Sequence, residues 1–99
     1  MPYIRISLTE PKPEHIEETR GVHRELLRFD KTLPGFIDGY FAEDMESAHR
    51  MGRVTFWEGK ADADHAAQQQ HTLTLRAQLL RLIVDDAAGI NAGLEATRI

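Results

Sequence analysis

Residues 52–67 read GRVTFWEGKADADHAA. The first half alternates. Val54 and Phe56 fall on one face, and Arg53, Thr55 and Trp57 on the other, which is the period-two pattern of a strand over 53–60. The second half turns to small and acidic residues. Asp62 is a good N-cap and Asp64 supports a first helical turn, so a helix is expected from about Ala63 to Val84. Its stripe is read as Ala66, Leu73, Ala77, Leu80 and Val84, widened by Leu75, Leu79, Leu82 and Ile83. The chain's only tryptophan, Trp57, stands where strand gives way to helix.

The same unit precedes this one. YIRISLTE, residues 3–10, alternates with Ile4, Ile6 and Leu8 on one face and Tyr3, Arg5 and Ser7 on the other. Pro11 and Pro13 stop that strand, and Pro13 suits a first helical turn. A helix is expected from about Pro13 to Lys31. Its apolar stripe is Ile16, Thr19, His23, Leu26, Leu27 and Asp30, and its outer face is Glu17, Arg20, Arg24 and Arg28. Gly21 within it costs up to ~1 kcal/mol against alanine and hints at a close contact. Leu33-Pro34-Gly35 ends the helix. A second strand follows over 36–44, with Ile37 and Phe41 on one face and Phe36, Asp38 and Tyr40 on the other. Gly39 is the expected site of a bulge. Residues 45–52 read as a polar hairpin connection, 85–93 as a loop and 94–99 as a short last strand.

The order βαββαβ points to one α+β domain over residues 1–99. Its ferredoxin-like four-stranded antiparallel sheet carries helices on one face. The opposite face cannot be fully polar, because both sides of strands two and three carry bulky groups. An apolar sheet surface of that kind marks an association site, so a homodimer is expected. The size agrees. A chain of 99 residues buries only roughly 60–70% of its unfolded surface, and pairing is a common remedy.

Composition narrows the partners. The net charge is −4 and the arginines are scattered, which argues against nucleic acid or an anionic membrane. With no cysteine, disulfides, thiolate nucleophiles and cysteine-bound metals are excluded. His65 and His71 are six apart and His15 and His23 eight apart. A metal pair on one helix face needs a spacing of three or four, so no metal site is expected. No apolar run approaches the ~18–20 residues of a membrane span, and the first residues hold no apolar signal core. A cytoplasmic location is the expectation.

This order, with LPGFIDGYF (33–41) and RVTFWEGKADADHAA (53–67), resembles the antibiotic biosynthesis monooxygenase-like family. The points of likeness are the Pro34-Gly35 turn before strand two, the aromatic strand three ending in Trp57-Glu58, and His65 and His71 on the helix after it. The resemblance implies a dimeric α+β barrel in which two ferredoxin-like sheets pack face to face. The family spans cofactor-independent oxygenases of aromatic polyketides, haem-degrading enzymes and small-molecule isomerases. Strand one offers Ser7 where haem-degrading members use Asn, and Ala66 and Arg76 fall in the helix stretch of their remaining residues, so haem is disfavoured. Oxygenase members place an Asn before the tryptophan, where this chain has Arg53, and an Arg near the position of Arg76.

The candidate site follows from these residues. Trp57 stacks on an aromatic ring. His23, on the inward stripe, is the candidate general base, with Asp30, Tyr40 or Ser7 as its possible partner. Arg76 and Arg53 offer planar forks to an enolate, phenolate or carboxylate. Tyr40 and Ser7 are candidate substrate contacts. The expected function is a cofactor-independent monooxygenase of a small aromatic, quinol-type or polyketide-like molecule, using neither flavin nor metal. The alternative is a non-catalytic dimeric module that binds a small ligand or a partner, or a small-molecule isomerase using the same pocket.

Overall fold

The computed structural model describes residues 1–46 and 49–99. Positions 47 and 48 of the expected hairpin connection lie outside the described residues. Four strands, β1 (Tyr3–Thr9), β2 (Phe36–Glu43), β3 (Met51–Trp57) and β4 (Ile90–Glu95), form one antiparallel sheet in the order β2-β3-β1-β4. Three α-helices, α1 (Ile16–Asp30), α2 (Lys60–Ala67) and α3 (Gln70–Leu82), accompany it. This is the ferredoxin-like α+β arrangement that the element order predicts. Among the described residues no helix is long and apolar enough to cross a membrane.

The α1 stripe is as expected: Thr19, His23, Leu26, Leu27 and Asp30 are all buried. A 3₁₀ turn, Pro13–His15, precedes it. Thr19 accounts for its polarity locally by donating to the His15 carbonyl at 2.7 Å. Gly21 does not mark a contact. It is exposed, and a Cβ built there would meet nothing within 4 Å.

The second helix is broken. Gln68 ends α2 and the extended Gln69 (φ −66°, ψ 142°) starts α3. The Gln69 side-chain amide donates to the His65 carbonyl at 3.1 Å, satisfying a C-terminal acceptor of α2. The break lets the two pieces bury different faces. Ala63 and Ala66 of α2 pack on Tyr3 and Trp57, whereas α3 buries Thr72, Leu75 and Leu79 and packs on α1. The stripe expected for one long helix is therefore misplaced. Leu73, Leu80 and Val84 are exposed. The helix also begins earlier than expected, with Gly59 rather than Asp62 at its cap.

The bulge falls one turn of strand earlier than Gly39. The β2–β3 register slips between Phe36 and Asp38. One extra residue reverses the alternation, so Phe36 and Phe41 both lie on the helix side. Phe36 stands edge-on to Trp57, and Phe41 lies beneath the Arg24 guanidinium of α1. The last strand lies at 90–95 rather than 94–99, paired along β1 from Leu8↔Ile90 to Tyr3↔Glu95.

Midway along β1 and β3 the sheet is polar towards its helices and apolar away from them. Thr9 of β1 and Met51 and Thr55 of β3 face inward and are buried. Arg5 reaches Asp64 on α2, and Arg53 reaches Asp30 on α1. Ile4, Ile6 and Leu8 pair with Phe56, Val54 and Gly52, and on the other edge with Leu94, Ala92 and Ile90. These make an outward apolar surface. Tyr40, 57% exposed, and Leu94, 52% exposed, stand on it.

Strands β1 and β3 touch closely at Gly52, where a Cβ would overlap the Ser7 carbonyl oxygen of the backbone. Because backbone rather than a flexible side chain is in the way, Gly52→Ala is expected to cost about 3 kcal/mol, the upper end of ordinary overpacking. Urea denaturation measures it.

Candidate functional site

Between the sheet and α2/α3 lies a cleft of about 80 Å3. It exists because α2 presents small residues. Ala63, Ala66 and Ala67 form one wall opposite Trp57 and Thr55. Trp57 is 2% exposed and stands edge-on to Phe36, with ring centroids 5.4 Å apart. Its indole N–H donates to Thr55 Oγ1 at 2.9 Å. That bond fixes the ring and leaves its apolar body to the cleft.

Three arginines line the cleft: Arg5 from β1, Arg53 from β3 and Arg76 from α3. Arg5 donates to Asp64 at 2.9 Å, and Lys60 takes the other oxygen of that carboxylate at 2.7 Å. Arg53 Nη1 donates to Asp30 Oδ2 at 3.1 Å. This second pair is buried, with side-chain exposures of 12% for Arg53 and 5% for Asp30. Burial pushes the Asp30 carboxyl up, opposed by the Arg53 charge. Burial also lowers Arg53, opposed by Asp30 and assisted by the positive charge of Arg76. Two polar atoms at the cleft, Arg53 Nε and Thr72 Oγ1, are buried with no hydrogen-bond partner. Such orphans are uncommon in native interiors.

The expected site residues divide. Trp57, Arg53, Arg76 and Ser7 all line the cleft. Tyr40 does not. It is on the outer face of the sheet, edge-on to Phe56 and within 3.2 Å of Asp38. The slipped register of β2 puts it there. His23 faces the sheet as expected and is fully buried, but it is not among the cleft residues. Its Nε2 lies 2.8 Å from Thr9 Oγ1, so its partner is none of Asp30, Tyr40 and Ser7. Thr9 also reaches the Met51 carbonyl at 3.3 Å. Burial, reinforced by the charge of Arg53, lowers His23 to about 3. His65 and His71 are exposed on the helices; His71 stands edge-on to Phe29. Among the described residues no group of three or more His, Asp or Glu stands close enough to hold a metal ion.

Sequence reading did not single out Arg5, Thr55, Thr72, Asn91 and the α2 alanines as cleft residues. The available signal was the polar inner face of β1 and β3: Arg5, Ser7 and Thr9 opposite Arg53 and Thr55 is an unusual set to point at helices.

No protein-family model matches the sequence, and no curated protein sequence matches it. Solved structures do. SnoaB from Streptomyces nogalater, a cofactor-independent oxygenase in its N63A mutant form, superposes with a TM-score of 0.83 at 13% identity, covering 99% of this chain and 95% of that one. A structure described as an antibiotic biosynthesis monooxygenase gives 0.83 at 18% identity, covering 99% and 100%. A dimeric ferredoxin-like protein of unknown function from Jannaschia sp. CCS1 gives 0.82 at 16% identity, covering 97% and 100%. The chain has the fold of the antibiotic biosynthesis monooxygenase structures. At these identities the likeness speaks for the fold alone.

The low value of His23 has a consequence for stability. The unfolded chain binds a proton at this residue below about pH 6.5, whereas the folded chain does so only near 3. Stability therefore rises with pH between those values and falls as acid is added, by up to about 1.4 kcal/mol per pH unit from this residue alone. Glu43, held down to about 2 by Arg20 and, after burial opposes this, by His49, adds its own loss below about pH 4.5 in the same direction. Thermal melts of the wild type and of His23→Gln are expected to diverge in slope between pH 6.5 and 4.5, with the variant nearly flat there.

Proposed function

We propose that the protein is a cofactor-independent monooxygenase of a small aromatic, quinol-type or polyketide-like molecule, bound as its anion beneath Trp57. The observation that carries the reading is the cationic cleft. Arg5, Arg53 and Arg76 converge on it, Asp30 and Asp64 answer only two of them directly, and Arg53 Nε is buried without a partner. An enolate or phenolate oxygen adds the third counter-charge, and a guanidinium fork suits it. Trp57 offers the ring-stacking wall.

The chemistry needs only a base, an anion holder and dioxygen. Asp30 is the carboxylate in the cleft, and burial moves it towards the range where a carboxyl accepts and releases a proton readily. His23 does not line this cleft and is weakly basic, so the role is assigned to Asp30. Loss of a proton gives an enolate held by Arg53 and Arg76. The enolate transfers one electron to dioxygen, the resulting radical and superoxide join through a C–O bond as a peroxide anion, and Asp30 returns the proton it took to give the hydroperoxide. Loss of water then leaves a carbonyl, so one oxygen atom stays in the product and the other departs as water.

Oxygen uptake on anthrone- and quinol-type compounds tests this. Wild type is expected to consume one dioxygen per product. Asp30→Asn should lower the rate by about 10²-fold or more, and His23→Gln should leave it within a few fold. No turnover on any such compound overturns the reading. A non-catalytic anion-binding module is the second reading, favoured by a cleft in which no lining residue is a histidine. It predicts binding of the same compounds without oxygen uptake.

We further propose that the chain works as a homodimer joined through the outer sheet face. That face is apolar where Ile4, Ile6, Val54 and Phe56 pair, and Tyr40 and Leu94 stand exposed on it. A contiguous apolar face of this kind is costly in water. Sedimentation should give a dimer at micromolar concentration, and Leu94→Glu should weaken it at least 100-fold. A monomeric wild type overturns the assembly.

A further inference from the structure

The cleft beneath Trp57 is about 80 Å3, and a cavity that takes benzene measures roughly 150 Å3. A ring stacked on Trp57 therefore extends its far edge beyond that cleft. A second cleft of about 90 Å3 adjoins the first between α3 and the β1–β4 pair. The two share Ser7, Arg76 and Asn91 as walls, so a ring that extends that way meets these three side chains. Ser7 and Asn91 are opposite one another on β1 and β4, and paired residues project from the same face of a sheet. Thr9 also lines the second cleft, but its hydroxyl is taken by His23 and the Met51 carbonyl. The charge around the first cleft is unbalanced as well. Asp30 faces Arg53, and Asp64 is shared by Arg5 and Lys60. Arg76 is exposed and has no ion pair among the described residues. Four cations thus stand against two carboxylates. The charges that act on Arg53 carry the same excess, with Asp30 on one side and Arg76 and Arg5 on the other.

We infer that the ligand is an aromatic dianion: one anionic oxygen rests on Arg53 beneath Trp57, and a carboxylate on the far edge of the ring is held at the junction of the two clefts by Arg76, Ser7 and Asn91. This rests on the anion-binding reading of the first cleft. The ring stays on Trp57, and only its polar substituent passes the shared walls. Arg76 carries five N–H donors in a planar fork, so one edge serves the ring oxygen and another the carboxylate. The Ser7 hydroxyl and the Asn91 amide each donate to a carboxylate oxygen, and hydrogen bonds to a charged acceptor are the stronger kind. The second negative charge also offsets the cation excess that a single anion leaves.

Benzoate, isophthalate and terephthalate are inert stand-ins with one carboxylate, or two at different separations, on the same ring. Each is titrated into the wild-type protein at fixed ionic strength, and NMR follows the side chains of Arg53, Asn91 and Lys60. All three acids are expected to shift Arg53. One dicarboxylate or both should bind roughly tenfold tighter than benzoate and shift the Asn91 amide, which benzoate leaves in place. Asn91→Ala, at an exposed position and with no change of charge, should cut that advantage roughly threefold or more and leave benzoate within about twofold. An Arg53 shift with equal affinity for all three acids overturns the subsite and leaves the anion reading standing. So does a dicarboxylate advantage that Asn91→Ala does not reduce, or one accompanied by shifts at Lys60 rather than Asn91. The absence of any Arg53 shift with all three acids overturns both.

Discussion

A guanidinium buried between a sheet and its helices must have a counter-charge, and Arg53 finds it in Asp30. Taking either charge from water alone would cost several kcal/mol, and the pair is retained because each satisfies the other. The bond ties the middle of β3 to the last turn of α1. It therefore fixes the separation of the two layers at the point where the cleft opens. Arg5 and Asp64 do the same between β1 and α2. The floor of the cleft is thus held by ion pairs beside an apolar cluster in which Trp57 of the sheet meets the alanines of α2.

This choice inverts the usual polarity midway along β1 and β3, between Tyr3 and Trp57 at one end and Met51 at the other. An antiparallel sheet with helices on one face normally buries its apolar side beneath them and turns its polar side to water. Here Arg5, Ser7, Thr9, Arg53 and Thr55 face the helices, while Ile4, Ile6, Val54 and Phe56 face away. The inner layer gives up part of its hydrophobic stabilisation to keep a polar chamber. The outer layer carries the apolar area that the proposed dimer would bury. In this reading the chamber and the partner surface are two consequences of one strand pattern.

Much of the architecture was legible because it depends on local pattern. The alternation in β1 and β3 and the inward stripe of α1 are properties of near neighbours, and they stand in the structure as read. Tyr40 was misplaced because a bulge at Ile37 reversed the parity of β2. A one-residue slip leaves no trace in composition. The second helix looked continuous because Gln68 and Gln69 are ordinary helix residues. Its break is set by the need of α2 to lie on Trp57 and of α3 to lie on α1. Leu73, Leu80 and Val84 match a helical stripe, yet the rotation of α3 turns them outward.

The sequence by itself determined the order of elements, the alternation that puts Trp57 with Arg53 on one face of β3 and Ser7 with Arg5 on one face of β1, and the inward position of His23. These follow from the periods of strand and helix. Only the tertiary structure decided which side faces the helices. It also brought Arg76 across from α3, joined Arg53 to Asp30, and set His23 against Thr9. Those are meetings between residues distant in the chain, and their outcome depends on helix rotation and strand register, which the packing of the whole molecule sets.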